Sequence, residues 1–111
     1  MKIELSISIP TFIIITTAIQ AVYNTKAHTR RTKSTLSIAL DVTAKLDAKL
    51  SSFKKNEITL FDQKKKIKLS FKFHEADMLE LLLIDQIRYA DDPYIKQQIQ
   101  KVIDMLNQKL A

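Results

Sequence analysis

Five lysines fall within nine residues, Lys64, Lys65, Lys66, Lys68 and Lys72, and this cluster is the first place to look for chemistry. Lys66, Lys68 and Lys72 alternate with apolar residues, so a strand would project them from one face while Lys64 and Lys65 sit in the preceding turn. A second basic group, Lys26, Arg30, Arg31 and Lys33, lies in the polar run NTKAHTRRTKS. If the two groups share a side, they could track a phosphate backbone and release its counterions. Phe71 and Phe73 fall on the face of Ile67 and Leu69, opposite the lysines, so no aromatic platform for stacking bases is expected. The basic run also lacks the compact turn of a helix-turn-helix. The plainer account of the lysines is a solvated face that blunts sheet-edge aggregation.

Catalytic readings find less support. His74-Glu75-x-Asp77 gathers titratable groups, but zinc needs three or four ligands, and the other histidine, His28, lies in the basic run. Acidic capping at a strand-to-helix junction explains that trio better. Seven serines and two histidines show no local arrangement for a nucleophile and its base. The chain has no glycine. Phosphate-cradling loops, dinucleotide fingerprints and nucleophile elbows all depend on that residue where the backbone must close or take positive φ, so they are excluded. It has no cysteine either, which removes disulfides, thiolate catalysis and thiolate-ligated metals. The expectation is a protein without catalysis, cofactor, metal or small-molecule substrate.

The elements that position these residues follow from periodicity. Residues 2–9 alternate, with Ile3, Leu5, Ile7 and Ile9 against Lys2, Glu4, Ser6 and Ser8, which predicts a half-buried strand. Pro10 suits a first helical turn, and Phe12, Ile15, Ile19 and Val22 continue at helical spacing to about Tyr23. A second helix is expected from about Ser34 to Phe53 on the stripe Leu36, Ala39, Thr43, Leu46, Leu50 and Phe53, although nothing rules out one long bent helix over 11–53. A hairpin of strands Glu57–Phe61 and Lys66–Phe73 around the turn 62–65 comes next. His74 then opens a helix whose body, Met78 to Ile87, is apolar nearly all round, so it is either central or covered by a partner. Asp92-Pro93 starts an amphipathic helix that runs to about Leu110.

The fold class is therefore α+β, one domain over 1–111 in the order β-α-α-β-β-α-α. A three-stranded antiparallel sheet should carry four helices mainly on one face. KIELSISIP from Lys2 echoes KIKLSFKFH from Lys66, and a hydrophobic helix follows each, as duplication of a strand–helix–helix unit would leave them.

The net charge of +6 is uneven: residues 1–74 hold fourteen basic and five acidic side chains, and residues 75–111 four basic and seven acidic. From Leu5 to Thr25 no side chain is ionisable, and basic residues follow, which is how a single membrane span looks. Its serines, threonines and Pro10, together with the initial alternation, favour a strand feeding a buried helix. The reading is a small basic cytoplasmic binding protein of adaptor, regulatory or immunity type, with residues 5–25 as the membrane-associated alternative. Two apolar helices are hard to cover in so small a domain, which points to a homodimer through Met78, Leu81, Ile84, Phe12 and Ile13, and to an unknown protein partner. Nucleic acid bound by the lysine face and the basic connection is the second reading.

Overall fold

The computed structural model describes residues 2–55 and 66–111, with the side chains of 53–55 outside the description. The elements are β1 (Lys2–Ser8), α1 (Ile9–Ala18), a 3-10 helix (Ile19–Asn24), α2 (Arg30–Lys55), β2 (Lys66–Lys72), α3 (Phe73–Ile87) and α4 (Pro93–Leu110). The fold is α+β and mostly helical. Among the described residues the antiparallel sheet has two strands, not three; the expected strand Glu57–Phe61 and turn 62–65 lie outside the described residues.

Alternation does in β1 and β2 what it predicts. Ile3, Leu5, Ile7, Ile67, Leu69 and Phe71 are buried, while Lys2, Glu4, Ser6, Lys66, Lys68, Ser70 and Lys72 are exposed. The register pairs Lys2 with Lys72, Leu5 with Leu69 and Ser8 with Lys66. Leu5 and Leu69 are equivalent residues of the two echoed sequences, so the pairing is centred on a local two-fold axis that exchanges them.

The helices respect the same exchange. Each strand passes into its helix without a connecting residue, through Ser8 (φ −70°, ψ 157°) and Lys72 (φ −68°, ψ 158°). Ser8 Oγ accepts the Thr11 N–H at 3.3 Å, and Glu75 Oε1 accepts the Lys72 N–H at 2.7 Å. In each case a side chain near the junction satisfies a backbone donor that has no partner within the helix. Across the halves, α1 packs on α4 and α3 packs on α2.

Phe73 corrects the expectation of a core residue at the end of the strand. The Glu75 bond to Lys72 begins the helix one residue earlier, and Phe73, now in the first helical turn, is 46% exposed. Residues 11–53 form separate helices, but the second starts at Arg30 instead of Ser34. Thr29 and Thr32 cap it reciprocally: Thr29 Oγ1 accepts from the Thr32 N–H at 3.1 Å, and Thr32 Oγ1 accepts from the Thr29 N–H at 3.0 Å. Asp92 caps α4 by accepting from the Tyr94 N–H at 2.7 Å, with Pro93 in the first turn as expected.

The core joins all the layers. Leu5 and Phe71 from the sheet meet Phe12, Ile15, Val42, Leu46, Leu79, Leu83, Val102 and Leu106 from the helices, all essentially inaccessible. Among the described residues three buried threonines are satisfied internally: Thr16 and Thr43 donate to the carbonyls of Phe12 and Ala39, both at 2.8 Å, and Thr11 donates to Gln98 Oε1 at 2.7 Å. Residues 5–25 are thus a strand, a ten-residue helix and a 3-10 helix threaded through this core. Among the described residues no helix is long and apolar enough to cross a membrane.

Candidate functional site

Two surfaces carry side chains that could bind a partner. The first is a groove of about 480 Å³ between α2 and β2, lined by Lys45 and Lys49 of α2, Lys68 and Lys72 of β2, and Lys2 of β1. The pleat of β2 turns Lys68 and Lys72 outward, and the four-residue spacing of Lys45 and Lys49 puts them on one helical face. Lys45 fixes the junction: its Nζ donates to the Ser70 carbonyl at 2.6 Å and to Glu75 Oε1 at 3.3 Å, and lies 5.0 Å from the centre of the Phe71 ring.

Glu75 is pulled two ways. Its partial burial pushes the carboxyl pKa up, but the Lys72 N–H, the Lys45 ammonium and the nearby His74 together outweigh that and hold it below its ordinary value of 4.5. The charged form is therefore the one the groove stabilises.

The structure divides the expected polyanion residues. Lys66, Lys68 and Lys72 are exposed on the outer face of the sheet, as the alternation requires, while Lys64 and Lys65 lie outside the described residues. Lys26 follows the 3-10 helix, whereas Arg30, Arg31 and Lys33 belong to the first turn of α2 and not to a connection. Arg31 and Lys45 are fourteen positions apart on that helix, about 21 Å along its axis at 1.5 Å per residue. The exposed acid Asp41 stands one turn before Lys45. The residues that join Lys68 and Lys72 are instead Lys2, Lys45 and Lys49, which sequence reasoning passed over. The i,i+4 spacing of Lys45 and Lys49 is visible in the chain, but their approach to a strand that begins seventeen or more residues later leaves no local signal.

The second surface is the outer side of α3. Leu81 and Ile84 are 51% and 48% exposed. Phe73, Asp77 and Arg88 are exposed at helical spacings that put them on the same side. The other interface candidates fall elsewhere. Phe12 is fully buried and offers no contact surface, whereas Met78, nearly buried, lines an apolar groove of about 330 Å³ with Val22, Leu36 and Leu82. Ile13 is half-buried and lines a separate apolar groove of about 330 Å³ with Ile14, Tyr89, Ile95 and Ile99.

Tyr23 and Asp47 form a third polar contact, between the 3-10 helix and α2. Asp47 accepts from the Tyr23 hydroxyl through one oxygen and from Gln20 Nε2 at 2.7 Å through the other. The hydrogen bond to Asp47 foremost, then burial and the Asp47 charge, raise the Tyr23 pKa above 10.0. His28 and His74 are both exposed, and among the described residues no three His, Asp or Glu side chains group so as to hold a metal ion.

The chain matches no protein-family model, and neither a curated protein nor a solved structure is significantly similar to it.

Proposed function

We propose that this protein acts by binding, without catalysis, and that it works as a homodimer joined through the outer face of α3. One observation carries the reading: Leu81 and Ile84 stand half exposed on a helix whose opposite face, Ala76, Leu79 and Leu83, is fully buried in the core. Large aliphatic side chains paired on a solvent-facing helix stripe gain most from being covered.

The charges on the same stripe favour a second copy as the cover. If α3 packs antiparallel on its counterpart with Leu81 opposite the partner's Ile84, the same register sets Asp77 opposite the partner's Arg88. A two-fold contact then makes two apolar pairs and two ion pairs from four positions. Within one chain Arg88 already bonds Asp85 at 2.8 Å, but both side chains are more than half exposed, so that pair resists exchange only weakly. Tyr23 and Glu75 have shifted pKa values, yet both are engaged in contacts between elements, which supports a structural role for them over proton transfer.

The test is the molar mass in solution by sedimentation equilibrium. Wild type should be a dimer at micromolar concentration, and Leu81→Glu with Ile84→Glu, which sets like charges opposite one another, should be a folded monomer. Asp77→Arg should weaken the dimer at least fivefold, and adding Arg88→Asp should restore it. A wild-type protein that stays monomeric at its highest soluble concentration overturns the dimer. A dimer indifferent to all these changes overturns the α3 interface.

A further inference from the structure

We infer that the α2–β2 groove is a binding site for the phosphodiester backbone of a nucleic acid, held without reading its sequence. This inference is independent of the α3 dimer. Among the described residues, five lysines from three elements line the groove, against one acidic lining residue, Glu75, which is already engaged by Lys45 and by the Lys72 N–H.

The fold does not require lysine at 68 or 72. Exchange about the sheet's two-fold axis carries Lys68 to Glu4 and Lys72 to Ser8, an acid and a neutral residue. It carries Glu75 to Thr11, whose partner on α4 is the neutral Gln98, in the place where Lys45 of α2 meets Glu75. The other half of the protein therefore builds the same strand–helix–helix junction without lysines at the places of Lys68 and Lys72, although Lys2 has Lys66 as its counterpart. The register also sets Lys2 directly against Lys72, a like-charge pair, with Glu4 in the next row of the same face, diagonal to Lys72 and Lys68.

The lining selects the chemical class. Lysine ammonium groups are compact, mobile charges that suit phosphates, and they lack the planar fork with which arginine reads base edges. The Phe71 ring beneath Lys45 is 1% exposed, so no base can stack on it and contact falls to the backbone. A concave groove with lysines on both walls grips a strand that runs along it; a flat anionic bilayer would reach only its rims.

The experiment is fluorescence anisotropy of labelled twenty-nucleotide DNA and RNA single strands of mixed sequence, titrated with full-length protein at 50 and 200 mM salt. Three to four phosphate contacts with a single strand give a log–log salt slope between about −2 and −3, a loss of roughly 20- to 50-fold between the two conditions. Lys68→Glu with Lys72→Glu should weaken binding at least tenfold and flatten the slope. Arg30→Glu with Arg31→Glu, at the far end of α2, should change affinity less than threefold. The neutral pair Lys68→Gln with Lys72→Gln should fall between wild type and the reversed pair. It carries the test if the reversed pair loses its far-ultraviolet circular dichroism. No binding at 50 mM overturns the inference, as does equal loss in the groove and Arg30/Arg31 variants. Binding to vesicles rich in phosphatidylserine, with neither strand bound, assigns the lysines to a lipid surface and overturns it too.

Discussion

Lys2 lies directly opposite Lys72 across the antiparallel pair, so two ammonium groups share one cross-strand position on the outer face of the sheet. Their side chains leave the backbone about 4.5–5.5 Å apart, close enough for like charges to oppose folding. Lys2→Gln removes the repulsion and keeps the length of the side chain. Urea denaturation at low salt should show the variant more stable by roughly 0.2–1 kcal/mol. Near 1 M salt, where the Debye length falls to about 3 Å, the gain should vanish. A gain of equal size at both salts would mean that strand propensity, not charge, separates the two proteins.

Glu75 joins three elements: it sits on α3, accepts the backbone N–H that ends β2 and pairs with Lys45 of α2. Its pKa is lower in the folded chain than in the unfolded one, so its contribution is complete above the unfolded value and is lost as pH falls through the folded value. Glu75→Gln keeps an oxygen for the Lys72 N–H but loses the charge, and should cost about 1 kcal/mol at pH 7. The gap between the two proteins should narrow as pH falls from the unfolded value towards the lower folded one. A difference that does not change with pH on the acid side would show that the loss is one of packing.

Tyr23 has the opposite sign. Its hydroxyl donates to Asp47, and the raised pKa means that the neutral phenol is the form the fold prefers. The stabilisation is present below the unfolded pKa near 10 and is lost as pH rises through the higher folded value. Tyr23→Phe should therefore lower the urea midpoint at pH 8, and the gap should narrow as pH rises above 10. If the gap is unchanged at pH 11, the Asp47 contact contributes nothing that depends on the phenolic proton.

Legibility tracked the range of the interactions. The alternation of Ile67, Leu69 and Phe71 was enough to place β2 and aim its lysines outward, and Asp92-Pro93 marked the start of α4. Phe73 misled because period-two alternation was extended one residue past the point where the Glu75 side chain takes the strand's last N–H. Thr29 and Thr32 carried a capping signal for α2 in the sequence, but the charged run around them reads equally well as a connection. The groove was invisible for another reason. Lys45 meets the Ser70 carbonyl twenty-five residues away, and no periodicity within either element encodes which helix face meets which strand.

The direct passage from β1 into α1 and from β2 into α3 makes each helix phase a rigid extension of its strand's pleat. Adding one residue at either junction would rotate everything after it by about 100° about the helix axis. Phe12 and Ile15, or Leu79 and Leu83, would then swing out of the core together. Changes of chain length over evolution are thereby barred from both junctions and directed to 25–29 and 88–92, where loops can absorb them. The spacing from Lys68 and Lys72 to Glu75 is held fixed by the same constraint, whatever happens to the length of the chain elsewhere.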